Sequence, residues 1–547
     1  MTIPILPVAQ VRATEVEASA SGISYAEMMQ RAGHAIAARL SGLLAASGAA
    51  ASERRVVFLI GPGNNGGDGL VAGRLLAEAG VRVHCYLLAP RAGDDPLLLA
   101  VHDAGLPITV FRDDAGLTAL QGAVSESLIV VDALFGIGAR LPLGEDAKRV
   151  LLTTAQALNR QHRAVQPFQS ADQPAARPLR PVVLAVDCPS GLDCDSGALD
   201  DAALAADETI TMIAAKPGLF TFPGAAAVGR LTMADLELPA ELSSLKSARS
   251  QLFTADDAST LLPKRAMNSH KGTFGHVLIT GGSANYPGAP ALSARAAYRM
   301  GAGLVTVATP APVADWLAGA LQECTWLHLP HDEGAIKADA VSAVREQWAS
   351  ANALVMGMGL GRHSTTLDFL TGVLGARDGA EFPPPLPPLV LDADGLSLLS
   401  TLPDWPRLLP PGSIITPHPG EMGRLCGMSA QEVVAQRWSL AVEKAAEWNV
   451  VVLLKGAHTL IAAPDGRLRA LPFKTSALAT AGTGDVLAGL IGTLRAQGLS
   501  AFDAASLGGF VHGAAGEMAA QKLGSERAVC AGDVVEALPA AIAALGS

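Results

Sequence analysis

Two glycine-rich strings carry side chains of the kind that move protons. Near the C-terminus, TAGTGDVLAGLIGTL (480–494) passes from small residues through Gly-Thr-Gly-Asp into an amphipathic stretch. A helix starting there presents free amides and the positive end of its dipole. Gly482 and Gly484 would let that backbone approach a phosphate, and Asp485 would stand beside the transferring group as acceptor of a hydroxyl proton. The same residues would also serve as a plain helix start capped by Asp485. Near the N-terminus, FLIGPGNNGGDGLVAGRLL (58–76) reads as strand, glycine loop and helix. Its spacing is not GxGxxG, so the glycines alone say little. Asn64, Asn65 and Asp68 make it more particular, because they offer hard oxygens or hydrogen bonds to a ribose or an amide.

Each string has companions. LLKGAHTLI (453–461) follows a strand and gathers Lys455, Gly456, Ala457, His458 and Thr459 in one turn. TPHPGEMGRL (416–425) holds His418 between two prolines, followed by Glu421; LDADGL (391–396) ends a strand in two aspartates, and GMGLG (357–361) is another glycine-rich strand end. In the first half, VDALFGIGARLPL (131–143) puts Asp132 at a strand end, and AVDCPSGLDCDSG (185–197) does the same for Asp187 and Ser190. On a parallel sheet these loops would open on one edge. Asn65, Asp132 and Ser190 could then share a cation, and two neutral oxygens with one carboxylate suit a monovalent ion better than Mg²⁺. Asp187 would remain free as acid or base. Helix caps and strand-end turns are the alternative reading of any one of these residues.

The elements that must position these groups are legible as apolar runs that end in Gly, Asp or Pro, among them 55–63, 126–136, 181–191, 275–283, 352–361, 388–396 and 450–458. Continuous runs of this length mark strands buried on both faces. Ala-rich stretches of helical period, such as LVAGRLLAEAG (70–80) and ALSARAAYRMGAG (291–303), lie between them. The alternation predicts α/β architecture, with parallel sheets covered by helices and loops clustered at the strands' C-terminal ends. The polar stretch 159–180 is expected to be a mobile surface loop, and FPPPLPP (382–388) a stiff lead-in to a strand. Residues 238–252 break the pattern and predict a boundary: a first domain over 1–240, a linker over 241–252 and a second domain over 253–547.

Composition narrows the function. The 547 residues are too many for one ordinary core, and half of them are hydrophobic. A formal net charge of −11 does not attract nucleic acid or an anionic membrane, so an anionic ligand must be held locally. The 6 Cys are scattered without a CxxC pair, which predicts neither disulfide framework nor zinc site and suits a reducing cytoplasm. MTIPILPVAQVRATEVEA has no basic start or apolar core, so no signal peptide is expected, and no apolar run reaches membrane-spanning length.

Residues 253–540 resemble the ribokinase-like domain of ADP/ATP-dependent NAD(P)H-hydrate dehydratase. The strings KGTFGHVLITGGSANYPGAPALSARAAYRMGAGLVTVATP, GMGLG, LDADGL, TPHPGE, LKGAHT and AGTGD occur in family order. The family usually has Pro where Met358 stands and often Asn where Thr416 stands. Residues 5–240 resemble the Rossmann-like NAD(P)H-hydrate epimerase domain, with TMIAAKPGLFTFPG (211–224) as a further match and Cys188 in place of an aliphatic residue. The 159–180 stretch is an insertion relative to that family and is expected on the face away from the site.

The resemblance implies a fused, bifunctional NAD(P)H-hydrate repair enzyme. In its second domain Lys455, Gly456, Ala457, His458, Thr459 and Gly484 would bind ADP or ATP, and Ala291, Gly361, His418 and Asp485 the hydrate, with Asp485 as base and Mg²⁺ offsetting phosphate charge. In its first domain the hydrate would be bound by Asn64, Asn65, Gly66, Gly67 and Asp68 and by Gly136, Ile137, Gly138, Ala139, Arg140, Leu141 and Pro142. Asn65, Asp132 and Ser190 would bind potassium, Asp187 would bind substrate and serve as acid or base, and Lys216 would support the site. Partners are then small molecules, with homo-oligomeric assembly expected and neither nucleic acid nor membrane. The alternative is a ribokinase-type kinase for a small molecule or vitamin precursor, with a non-catalytic first domain. It would accumulate a phosphorylated product where a dehydratase releases phosphate.

Overall fold

Seven strands of the first half form one sheet: β1 (Arg55–Ile60), β2 (Arg82–Leu87), β3 (Ile108–Val110), β4 (Ile129–Ala133), β5 (Val182–Val186), β6 (Glu208–Met212) and β7 (Arg230–Ala234). Their order is β3-β2-β1-β4-β5-β6-β7, and every pairing is parallel. The computed structural model describes residues 3–162, 180–375 and 386–546. It forms two units that divide between Ala248 and Arg249.

In the first unit β1, β4 and β5 are almost wholly buried, as continuous Val/Ile/Leu runs require of strands covered on both faces. One apolar layer joins the sheet to α2 (Tyr25–Ala46) and α3 (Asn64–Glu78) through residues such as Ile36, Leu40, Phe58 and Leu70, while α1 (Val8–Ala20) packs apart from it, with Val11 beside Ala214 and Ala18 beside Met28. Ser24 caps α2 by accepting the Glu27 N–H at 3.2 Å. On the opposite face lies α4 (Glu145–His162), anchored by Val150 and Leu151. This helix continues through 159–162, where a loop was expected. Residues 163–179 of the expected insertion lie outside the described residues. The chain runs outward from β1 to β3, then returns to β4 on β1's other side. That reversal opens a crevice beyond the C-terminal ends of β1 and β4.

The second unit has β8 (Ser250–Leu252), β9 (His276–Thr280), β10 (Leu304–Pro310), β11 (Thr325–Leu329), β12 (Ala353–Met356), β13 (Leu389–Leu391), β14 (Ile414–Ile415), β15 (Val451–Leu454), β16 (Leu460–Ala462) and β17 (Leu468–Ala470). Their order is β8-β17-β16-β15-β14-β13-β12-β9-β10-β11. The run from β15 to β11 is parallel throughout. The sheet as a whole is mixed rather than parallel, because β15–β16 and β16–β17 pair antiparallel. Strand β8 falls within the segment read as linker, and it pairs with β17 in register Ser250 to Leu468. Of FPPPLPP, only 386–388 is described, leading directly into β13.

Three helices frame the second unit's site: α5 (Gly288–Arg299), α6 (Pro419–Cys426) and α8 (Thr483–Ala496), with α7 (Arg437–Trp448) and α9 (Ala501–Leu523) packed behind. Helices α5 and α8 touch backbone to backbone. A Cβ on Gly489 would lie 2.2 Å from the Ser293 carbonyl oxygen, so only glycine permits that approach. The Ser293 hydroxyl donates to the Asp485 carbonyl at 2.7 Å, locking the first turn of α8. Among the described residues, no helix is long and apolar enough to cross a membrane.

Two candidate active sites

In the first unit, a cavity of about 880 Å³ opens at the crevice between β1 and β4. Asn64, Asn65 and Asp68 line it from the start of α3, Gly136 to Ala139 from the loop after β4, and Asp187 from the end of β5. Gly66 and Gly67 do not line it. Gly66 packs its backbone onto the Gly61 carbonyl, where a Cβ would come within 2.0 Å, and a Cβ on Gly67 would meet Met29. Arg140 and Pro142 are exposed, and Leu141 packs against the apolar layer beside α4.

Asp187 is not free. Its Oδ1 receives the Lys216 ammonium and, at 3.3 Å, the Thr211 hydroxyl; its Oδ2 accepts the Ile137 N–H at 3.2 Å. Lys216 is 1% exposed and also donates to Thr211 Oγ1 at 2.7 Å and to the Met212 carbonyl at 3.2 Å. The backbone at Asp187 is left-handed, with φ +67°. Such strain persists only where surrounding structure imposes it. Here the Asp187 N–H donates to Ile210 O at 2.7 Å and the Cys188 N–H to Val186 O at 2.8 Å. The turn thus aims the carboxylate away from its strand and over the cavity.

Asp132 and Ser190 meet directly beneath this surface. Asp132 is fully buried and accepts from Ser190 Oγ at 2.6 Å, Ser190 N at 2.8 Å and Leu134 N at 3.3 Å. Burial raises its pKa, while those hydrogen bonds oppose the rise. No basic side chain pairs with it among the described residues. Asn65 is buried as well: its side-chain oxygen lies 3.1 Å from where a Cβ on Gly136 would stand, and its amide nitrogen, a donor that cannot ligate a cation, has no hydrogen-bond partner. The Asp132 carboxylate, without a counter-charge, and the Ser190 hydroxyl beside it are hard oxygens of the kind a monovalent cation takes.

Two further acids, Asp68 and Glu15, line this cavity. Burial and the neighbouring Asp187 push the Asp68 carboxyl well up, and the same two causes raise Glu15. Glu15, on α1, lines the cavity but was missed in the sequence, because one Glu on an ordinary amphipathic helix carries no spacing signal.

In the second unit, Asp485 opens α8 behind Gly482, whose φ of +92° turns the chain into the helix. Burial first, and then the Asp392 charge, raise its carboxyl to about 7, against the pull of Lys455. Lys455, at the end of β15, donates to Asp392 Oδ1 at 2.7 Å and lies 3.7 Å from Glu421. Burial alone would lower the lysine's pKa, but those two carboxylates raise it. Asp392 is 1% exposed, and its other oxygen, Oδ2, has no hydrogen-bond partner. Asp392 and Glu421 stand in LDADGL and TPHPGEMGRL, where the sequence gives neither a role of its own.

His418 caps α6: its Nδ1 accepts N–H groups of Gly420 at 3.0 Å and Glu421 at 3.3 Å. An accepting Nδ1 is unprotonated, which leaves the proton of the neutral ring on Nε2. Burial and then Lys455 lower the pKa of His418, in keeping with that neutral form. Gly361, with φ +76°, donates its N–H to Asp394 at 3.0 Å. Ala291 is half-buried on α5 and packs on the apolar core.

A second cavity, of about 190 Å³, adjoins these groups. Lys455, Gly456, Ala457, Thr459, Thr483 and Gly484 line it together with the apolar Leu471, Phe473, Leu478 and Leu487. Such a lining offers apolar surface to a flat base, and a cation with glycine-rich backbone to phosphates. His458 does not line it. Its side chain is buried, held by Nδ1 to the Leu471 carbonyl at 3.0 Å, and burial lowers its pKa to about 4.

Comparison with known proteins also divides the chain into two parts. A family model described as NAD(P)H-hydrate dehydratase matches residues 277–540, and one described as YjeF-related protein N-terminus matches 25–218. The chain is 37% identical over 496 residues to the bifunctional NAD(P)H-hydrate repair enzyme Nnr of Moorella thermoacetica, covering 89% of this chain and 87% of that one. It is 33% identical over 519 residues to the protein of that name from Escherichia coli, covering 94% and 89%. Among solved structures, an ADP/ATP-dependent NAD(P)H-hydrate dehydratase from Bacillus subtilis, co-crystallised with ATP and Mg²⁺, matches at 29% identity and a TM-score of 0.44, over 53% of this chain and 96% of that one.

Proposed function

The chain belongs to the family of bifunctional NAD(P)H-hydrate repair enzymes, with the epimerase half first and the dehydratase half second, and on that premise we propose how its residues divide the work. In the second unit, the nucleotide lies in the smaller cavity, its base on Leu471 and Phe473 and its phosphates on Lys455 and the amides of Gly456 and Gly484. Asp485 takes the proton of the hydrate's hydroxyl as that oxygen receives a phosphoryl group from ADP or ATP. Phosphate, a far better leaving group than hydroxide, then departs from the ring carbon while the neighbouring ring carbon gives up a proton to solvent, and the double bond so formed restores NADH or NADPH, with AMP or ADP as the other product. Lys455 and neutral His418 hold the anionic and polar parts of the reactants. Mg²⁺, when bound, would be held by Asp392 and Glu421 and would offset phosphate charge; the bare Oδ2 of Asp392 fits such a ligand.

In the first unit, the hydrate occupies the larger cavity, and Asp187 moves the proton during interconversion of R and S forms, through the Oδ2 that faces Ile137. Lys216 fixes the other oxygen and so orients the group. Potassium, when bound by Asn65, Asp132 and Ser190, would balance the buried Asp132 charge. The six cysteines are all free, which suits a cytoplasmic enzyme. A homo-oligomer is part of the same reading.

The observation that carries the second-unit assignment is Asp485 in the first turn of α8, directly after Gly484, which lines the cavity together with Lys455. The test is to incubate the protein with mixed R and S hydrates, with and without ADP or ATP, and resolve the products. Nucleotide-dependent loss of both hydrates, with phosphate release and recovery of NAD(P)H absorbance, is the expected result. Accumulation of a phosphorylated product would instead identify a kinase.

A further inference from the structure

Arg437 is an anomaly among the buried charges. It is 9% exposed on α7, yet no carboxylate pairs with it among the described residues, and burial alone lowers its pKa, to about 10. An unpaired buried guanidinium is costly to retain. Its hydrogen bonds show where it is aimed. Nη1 donates to the Ala457 carbonyl at 2.7 Å, and Nη2 to the His458 carbonyl at 2.9 Å. Both carbonyls belong to the turn whose Gly456, Ala457 and Thr459 line the smaller cavity.

That turn is unfavourable on its own. Gly456 sits at φ +147° and His458 at φ +51°. The Thr459 hydroxyl closes it by donating to the Gly456 carbonyl at 2.9 Å. With two carbonyls turned back toward Arg437, the peptide dipoles between them are oriented by the guanidinium fork. The charge also lies close to the cavity: Nη2 is 3.6 Å from where a Cβ on Gly456 would stand. On a chain of net charge −11, a cation without a carboxylate at that position is the counter-charge a phosphate would meet.

We propose that Arg437 is a positioning residue for the nucleotide: it holds the Gly456–Thr459 turn in its binding shape and supplies positive charge behind it for the nucleotide's phosphates. This rests on the reading of that cavity as the nucleotide site. Titration of the unaltered protein with ADP tests that reading by itself, since absence of binding there would sink it whatever Arg437 does.

The inference is tested in the full chain with Arg437→Gln, which keeps hydrogen-bond donors and loses the charge, and Arg437→Lys, which keeps the charge and loses the fork. ADP affinity is measured by calorimetry, and KM for ADP and for the S hydrate separately. Arg437→Gln should weaken ADP at least about tenfold, a loss of one charge-assisted contact. Arg437→Lys should fall between it and the parent. KM for the hydrate should stay within about twofold, and added guanidinium chloride should restore part of the ADP affinity to Arg437→Ala. If Arg437→Gln does not fold, Arg437→Lys decides: ADP affinity equal to the parent's overturns the proposal. It is also overturned if the hydrate's KM rises as much as that of ADP, because Arg437 would then only support the fold.

Discussion

At the scale of single residues, the two proposed catalytic aspartates differ in what surrounds them, and each difference has a measurable consequence. Asp485 has its carboxyl raised from an ordinary 3.8 to about 7, mainly by burial. As pH falls through that value the base becomes protonated, so dehydration should decline below about pH 7 along a curve that epimerisation need not follow. The stability effect runs in the same direction. A raised pKa means that the folded state favours the protonated form, so the group's contribution is fully present below 3.8 and is lost as pH rises through about 7. Asp485→Asn, which cannot ionise, should therefore melt higher than the parent above pH 7, while losing about 10²–10⁴ in dehydration rate and keeping epimerisation. Near-normal dehydration by this variant would remove Asp485 from the chemistry. Asp187, by contrast, is held by the buried Lys216. Lys216→Met should leave the carboxylate unoriented and slow epimerisation. Removing one partner of a fully buried pair costs about 3–5 kcal/mol, and the loss here should be smaller, because Asp187 faces a cavity that water can enter. Epimerisation and denaturant stability both unchanged in Lys216→Met would show the pair to be inert.

Helices and strands set the tolerance within which those residues work. Gly489 is the sharpest case, since the atom a Cβ would meet is the Ser293 carbonyl, which is backbone and cannot rotate away. Gly489→Ala should push α8 from α5, strain the Ser293–Asp485 hydrogen bond and destabilise the second unit by about 1–3 kcal/mol. Dehydration should suffer more than epimerisation; an unchanged melting curve would mean that the two helices do not depend on this contact. Much of this scaffold was legible in advance. Runs such as Val182–Val186 and Val451–Leu454 are uninterrupted by polar residues, as strands covered on both faces are, and their short length and β-branched residues favour strand over buried helix. The β16–β17 hairpin escaped notice because its strands have only three residues each, too few to show a period. Ser250–Leu252 read as linker for the same reason, since its strand character comes from a partner more than 200 residues away. The residues bordering each cavity were mostly visible as strand-end motifs, whereas their pairings were not. Lys216 reaches Asp187 across 29 residues, and Arg437 reaches Ala457 across 20, from positions whose local sequence looks like any buried turn or helix.

The whole molecule divides between Ala248 and Arg249, and each part has its own sheet, its own apolar core and its own cavity. Every group assigned to proton transfer at Asp187 lies before residue 217, and every group assigned to the nucleotide lies after residue 390. Parts that bury their cores separately should fold separately, so the two chemistries should be separable as well. Asp187→Ala is expected to stop enzymatic conversion of R to S hydrate while dehydration of pure S hydrate continues at the parent's rate. Given pure R hydrate, that variant should turn over only as fast as the substrate epimerises unaided. A shortened chain should begin at Arg249, not at 253, because Ser250–Leu252 completes the sheet edge beside β17. The measurement is dehydration of S hydrate by both proteins, with circular dichroism to establish folding. If both are folded and both lose most of their activity, the two sites are coupled and the separation fails. Loss in the shortened chain alone would have a narrower meaning: the first unit supports the second without sharing its chemistry, and adding back the isolated 3–248 portion should then restore the rate.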